Sequence, residues 1–233
     1  MNNSIYIALQ NVMKANEPVK FFNTYRGMPV NYSGVISKII GNRILFKISS
    51  LQINCIILNH GTYIKVNRIA GVLRAKMADY DMKKETVDLW GFENVINTIG
   101  LRSEVRVEPK KPIDGALLIN TNSRIPLSIF ELSVRGIGFW FDIDFFEPQF
   151  FTIGKRVLIS YTLPAAGNKP DDIQMCYEME FRNVMMDQTG KYVRIGARTY
   201  PDKNYENDLV NFLAYRQKEL LVELKALCEA KIA

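Results

Sequence analysis

The spacing of apolar positions changes character along the chain. Between residues 3 and 15, Ile5, Leu9 and Val12 recur at helical spacing and Glu17-Pro18 closes the segment, which predicts a short N-terminal helix. From Val19 to Phe92 the pattern becomes short runs of β-branched and aromatic residues: "VKFFNTY", "YSGVISKII", "RILFKI" and "QINCIIL", separated by Gly27, Gly34, Gly41 and Gly61. Each run reads as a strand, with "ETVDLWGF" the last, and closely spaced short strands with frequent turns predict a small barrel or sandwich.

A connector follows, "ENVINTIGLRSEVRVEPKKP", of mixed polarity with Gly100, Pro109 and Pro112. Beyond it "GALLIN", "RIPLSIFELS", "GIGFWFDI", "GKRVLISYTL", "IQMCYEMEFRNVMM" and "KYVRIGARTY" predict the strands of a second barrel, with "PAAGNKPDD" as a surface hairpin loop. From about Tyr205 to Ile232 the period is helical again, with a seam of Val210, Leu213, Gln217, Leu220, Leu224 and Leu227. That seam packs the helix on its own barrel or also pairs it with a second subunit, as a homodimer. The expected fold is therefore mainly β: two small β-barrels and a long C-terminal α-helix, divided into 1–96, a connector at 97–109, and 110–233.

Composition agrees with a folded, water-soluble chain, 48% apolar and 23% charged over 233 residues. Runs such as "INCIIL" are too short to span a bilayer and "MNNSIYIALQ" lacks the form of a secretory signal, so a cytoplasmic protein is expected. The net charge of +6 favours anionic partners, but the basic residues form no block, which makes nucleic acid the weaker expectation. Cys55, Cys176 and Cys228 form no CxxC pair, and His60, in the turn-like "NHGTY", is the one histidine that could join them. Core packing for the thiols and a surface turn for the histidine are the expected roles. With no glycine-rich phosphate loop, nucleophile and base pair or metal cluster, the chain reads as a non-enzyme without cofactor or metal. A flavin-dependent reductase on the first barrel is the enzymatic alternative.

The chemistry concentrates in "LRSEVRV" at 101–107 and "ELSVRG" at 131–136. Arginine replaces lysine where a planar fork must grip a phosphate, bond the acceptor edge of guanine or stack on a base. Arg102 and Arg106, four apart on the connector, can flank one anionic ligand. Glu131 and Ser133, two apart on a strand, share a face, and Gly136 permits a positive φ or a close backbone approach. Glu131 can accept from guanine N–H groups and Ser133 can donate or accept, so the two pieces describe a cradle for guanine and phosphate. Arg135 and Arg198 are additional basic candidates beside it.

"RSEVR" followed by "ELSVRGIGFWF", "GKRVLISYTL", "RIGARTYPD" and a terminal helix resembles the PilZ domain, whose pattern is RxxxR followed by [D/N]xSxxG. The resemblance covers residues 101–231 and implies a six-stranded barrel. The strands before it resemble, in layout, the split-barrel-like N-terminal domain of two-domain flagellar-brake proteins. The family implies a receptor for cyclic di-GMP in which Arg102 and Arg106 wrap phosphates and a guanine, and Glu131, Ser133 and Gly136 close the other side. Glu131 departs from Asp or Asn, keeping the charge on an arm longer by a methylene. Leu101 occupies a position where a further arginine favours an intercalated ligand dimer, which implies a single ligand; its plainer role is an apolar anchor of the connector. The resemblance further implies a ligand-driven change of domain arrangement acting on a downstream protein, the flagellar motor or exopolysaccharide machinery, with motility or biofilm output. The alternative is a PilZ scaffold that has lost its ligand.

Overall fold

The computed structural model describes residues 3–95, 104–119, 124–167 and 171–232. The chain forms two compact units, Met1–Tyr25 with Pro29–Ser103 and Leu220–Ala233, and Arg26–Met28 with Glu104–Glu219. Each contains a closed six-stranded antiparallel barrel, and closure leaves no unpaired sheet edge.

The first barrel runs β1(Val19–Tyr25), β2(Met28–Ile40), β3(Arg43–Lys47), β4(Gly61–Lys65), β5(Val72–Asp81) and β6(Thr86–Val95), ordered β1-β2-β3-β6-β5-β4 and closed by β1 on β4. Its strands alternate buried and exposed positions, as in β1, where Val19 and Phe21 point inward. Phe21 meets Phe46 edge to face at 5.2 Å in the core. Helix α1(Asn3–Lys14) adds Leu9 and Val12 to the same core, so the N-terminal apolar spacing has its predicted outcome.

One run differs from expectation. "INCIIL" lies in helix α2(Ser50–Asn59), not in a strand. Continuous apolar sequence has neither period, and here the ends decide. His60 takes the left-handed conformation at φ 54° and its N–H closes on the carbonyls of Ile56 and Ile57, ending the helix. Gln52, Ile53, Asn54, Cys55 and Ile56 are all buried, so the segment is apolar around much of its circumference, and its two amides are engaged. Gln52 donates to Asn23 Oδ1 at 2.7 Å and accepts from the Tyr32 amide at 3.1 Å, tying α2 to β1 and β2.

The second barrel contains β7(Ile113–Leu118), β8(Arg124–Ser133), β9(Gly136–Asp142), β10(Arg156–Leu163), β11(Ile173–Met186) and β12(Tyr192–Tyr200), ordered β10-β11-β12-β9-β8-β7. Phe139, Ile159, Met179, Phe181, Val193 and Ile195 fill it. Tyr161 and Tyr177 place their hydroxyls 2.6 Å apart inside, one donating to the other, and burial pushes both phenols above their usual range.

Helix α3(Lys203–Ile232) starts at Asp202, whose carboxylate accepts from the Asn204 and Tyr205 amides. Residues up to Glu219 group with the second unit and those from Leu220 with the first, where Cys228 joins the core. Its buried row is Leu209, Phe212, Leu213, Arg216, Leu220, Leu224 and Cys228, whereas the expected Val210 and Leu227 are 48% and 40% exposed. From Arg216 onward the row advances by four residues at each step, where a heptad needs alternating threes and fours, so the expected seam is correct only in its middle.

Candidate functional site

The site is assembled at one end of the second barrel by the β8–β9 hairpin. Glu131 pairs with Gly138 and Ser133 with Gly136, which leaves Glu131 and Ser133 on one face as the period of two requires. Between them Leu132 turns inward and forms a two-bond bridge with Val107: the Val107 amide donates to Leu132 O at 2.9 Å, and the Leu132 amide to Val107 O at 3.0 Å. Val107 is fully buried, so its neighbours Arg106 and Glu108 are directed outward. This bridge carries the second arginine of R-x-x-x-R to the hairpin, and Arg106 Nη1 lies 3.6 Å from Glu131 Oε1.

Gly27, with φ 81°, backs this segment from behind. A Cβ there would stand 2.9 Å from the Arg106 carbonyl oxygen, so glycine is needed for both the turn and the approach. The adjacent Arg26 accepts from the Glu108 amide at 3.0 Å through its carbonyl and donates Nε to Glu108 Oε2 at 3.3 Å. Glu108 O in turn accepts from Nε of Arg216, a side chain of α3 that is 2% exposed.

Gly136 shows why serine and glycine stand three apart. Its φ lies outside the left-handed range, so close approach is the property used: an added Cβ would sit 2.8 Å from Ser133 Oγ. The buried Ser133 hydroxyl lies 3.2 Å from Gly136 O and 3.4 Å from Glu104 Oε2. Both are acceptors, and its single proton serves one at a time. The Arg135 amide also donates to Glu104 Oε2, at 3.0 Å. The Arg135 guanidinium grips Glu206 Oε1 in the first turn of α3 through Nε at 3.2 Å and Nη2 at 3.1 Å. The turn itself is held by the Thr199 amide, which donates to Arg135 O at 3.1 Å.

Arg198 lies opposite Gly136 across β9 and β12, with its guanidinium 5.5 Å over the Tyr200 ring. Tyr200 donates to Glu180 at 2.7 Å, and this bond, helped by Arg182, Arg156 and Arg198, holds the Glu180 carboxyl below its usual range. Two pairs along, Gly138 faces Gly196 as a shelf that the Phe130 ring covers on the Gly138 side, where a Cβ would stand 2.9 Å from Phe130 Cζ; a Cβ on Gly196 would meet only Asn183 Cβ, at 3.8 Å. The shelf is bounded by a stack in which Arg194 lies 4.4 Å over Phe130 and Phe130 stacks on Trp140 at 5.0 Å.

The structure thus brings Arg106, Glu131, Ser133, Arg135 and Gly136 together. Leu101 and Arg102 lie outside the described residues. Sequence reasoning missed Glu104, Glu206 and the Arg194–Phe130–Trp140 stack. The acid inside R-S-E-V-R and the alternation of Phe130, Trp140 and Arg194 about two glycines were the available signals.

No family model and no curated protein matches the chain. It is similar to solved structures of PilZ-domain proteins. YcgR from Escherichia coli in complex with c-di-GMP shares 13% identity over 96% of this chain and 93% of that one, with a TM-score of 0.44. The Bacillus subtilis inhibitor of motility, MotI/DgrA, shares 14% over 88% and 97%, with a TM-score of 0.46. The isolated PilZ domain of YcgR with c-di-GMP shares 15% over 54% and 98%, with a TM-score of 0.41. The ligand belongs to the two YcgR structures.

Proposed function

We propose that the chain is a non-enzymatic receptor for cyclic di-GMP, with Arg102, Arg106, Glu131, Ser133, Arg135 and Gly136 forming the cradle. One observation carries the reading: the Arg135 amide and the Ser133 hydroxyl converge on a single carboxylate oxygen, at 3.0 and 3.4 Å, beside Arg106. Donors that converge on one oxyanion, with a guanidinium next to them, form an anion-recognition geometry. The adjacent acceptor Glu131 suits the N–H edge of guanine, and Arg198 and Arg194 offer further cationic surfaces on either side of the glycine shelf.

Ligand bound to both residues 97–109 and the hairpin ties these elements together. Differential affinity for two arrangements of the barrels is the energy available to a downstream protein target in motility, biofilm or polysaccharide output. Among the described residues no helix is long and apolar enough to cross a membrane.

Calorimetric titration with cyclic di-GMP, with GMP as control, tests this. Saturable binding by the wild type and its loss in Arg102→Ala are expected. The absence of binding by the wild type would favour the alternative, a PilZ scaffold without ligand, which the engagement of the Arg106 guanidinium and of the Arg135 amide and guanidinium by chain carboxylates also supports.

A further inference from the structure

Glu104 stands inside R-x-x-x-R, and its carboxylate is the group on which the donors of the hairpin turn converge. The Arg135 amide has one proton and Ser133 has one, which also has Gly136 O within reach. A phosphate or other anionic acceptor arriving at these donors finds them used. Two anions cannot share them, because at hydrogen-bonding separation they repel and each leaves the other short of donors. From this we propose, on the reading of the cradle given above, that Glu104 is a built-in substitute for the anionic group of the ligand, an autoinhibitory contact that cyclic di-GMP displaces.

The position of Glu104 in the chain gives the displacement a consequence. Among the described residues, backbone hydrogen bonds of this segment begin at Val107, so the side chain of Glu104 fastens residues 104–106 to the β8–β9 turn. Exchange of that carboxylate for ligand releases the tether in the step that loads the site. The contact also lowers apparent affinity, since only the fraction of molecules with Glu104 withdrawn is competent to bind. A charge-assisted hydrogen bond at a partly exposed turn makes that fraction small without making it negligible.

The test compares wild type, Glu104→Gln and Glu104→Ala by calorimetry with cyclic di-GMP, at about 50 mM and about 500 mM salt. Binding about tenfold tighter in Glu104→Ala, with Glu104→Gln between it and wild type, is expected at both salt concentrations. Unchanged or weaker binding overturns the proposal, and weaker binding would make Glu104 a ligand contact instead. A gain that disappears at high salt also overturns it, because removal of simple charge repulsion is screened whereas removal of a direct competitor is not. If the wild type and both variants fail to bind, the receptor reading falls together with this one; if all bind equally, only the inhibitory role falls. Hydrogen exchange provides a readout free of ligand. The Arg135 amide should be protected in wild type and exchange faster in Glu104→Ala, and equal rates would show that the contact is not populated.

Discussion

Removal of the Arg106 guanidinium separates a binding role from a structural one, because the geometry assigns the two very different sizes. Its ion-pair partner in the structure is Glu131, with 3.6 Å between Nη1 and Oε1, the arginine 42% exposed and the glutamate 17%. Two unit charges at that separation attract by about 1 kcal/mol in bulk water, and screening with the cost of holding two long side chains reduces this further. Arg106→Ala should therefore cost at most about 1 kcal/mol of folding stability. A double-mutant cycle with Glu131→Ala, read from urea unfolding, should give a coupling of about 0.2–1 kcal/mol. A charge-assisted contact to a phosphate is worth more, roughly 1.5–3 kcal/mol when lost, or roughly ten- to 150-fold in Kd. Calorimetry on the same samples should show that larger loss. A coupling above about 2 kcal/mol, or a Kd within twofold of wild type, would refute the reasoning: the first makes the pair structural, the second removes the arginine from the ligand.

Gly136→Ala should push the Ser133 hydroxyl out of its 2.8 Å conflict with the new Cβ, costing about 1 kcal/mol in a thermal melt and weakening binding, with stability regained in Gly136→Ala/Ser133→Ala. Maleimide should label the exposed Cys176 of the native protein rapidly while the buried Cys55 and Cys228 resist. Burial pushes the Cys55 thiol up to about 12 from 9.0, so the unfolded chain loses that proton first; the contribution of this thiol is level below pH 9.0 and falls as the pH rises from there towards 12, so stability in an alkaline series of urea unfolding curves should fall less steeply in Cys55→Ala than in wild type. Arg216→Ala removes a buried side chain whose Nε donates to Glu108 O, and should destabilise the protein by about 3 kcal/mol in urea unfolding.

The strands were legible because alternation between core and solvent repeats every two residues, as in β1 and β12, and turn residues mark their ends. Helix α2 was not, because its residues are buried on several sides and no alternation survives. What separates it from a strand is a terminator, the left-handed His60, whose conformation is not written in its residue type. The phase of α3 was hidden for a related reason. Arg216 is nearly fully buried, and a polarity pattern assigns an arginine to solvent unless the carbonyl waiting for it is known. In the site, the relations legible in advance are local: the shared face of Glu131 and Ser133 follows from strand period, and the closeness of Ser133 and Gly136 from a tight hairpin. The acids that occupy the donors come from far along the chain, Glu104 at a separation of 31 residues from Arg135 and Glu206 at 71, and no local pattern contains such distances.

Those acids also change what the overall charge means. The chain carries +6, yet the described part of the cradle sets two guanidiniums, Arg106 and Arg135, against three carboxylates, Glu104, Glu131 and Glu206. The neighbouring Arg156, Arg182 and Arg198 are grouped around Glu180, with Glu178 also on Arg156, so the two clusters together oppose five positive charges with five negative, and Arg194 over Phe130 adds one further cation. A dianionic ligand approaching this surface meets no strong attractive field from these groups, and its affinity must come from hydrogen bonds and stacking made at contact. Binding of cyclic di-GMP should accordingly change by less than about threefold between about 50 and about 500 mM salt, in calorimetry on the wild type. A steep fall with salt, of the kind seen when several phosphate charges are neutralised by basic side chains, would mean that the carboxylates had already left the site before the ligand arrived.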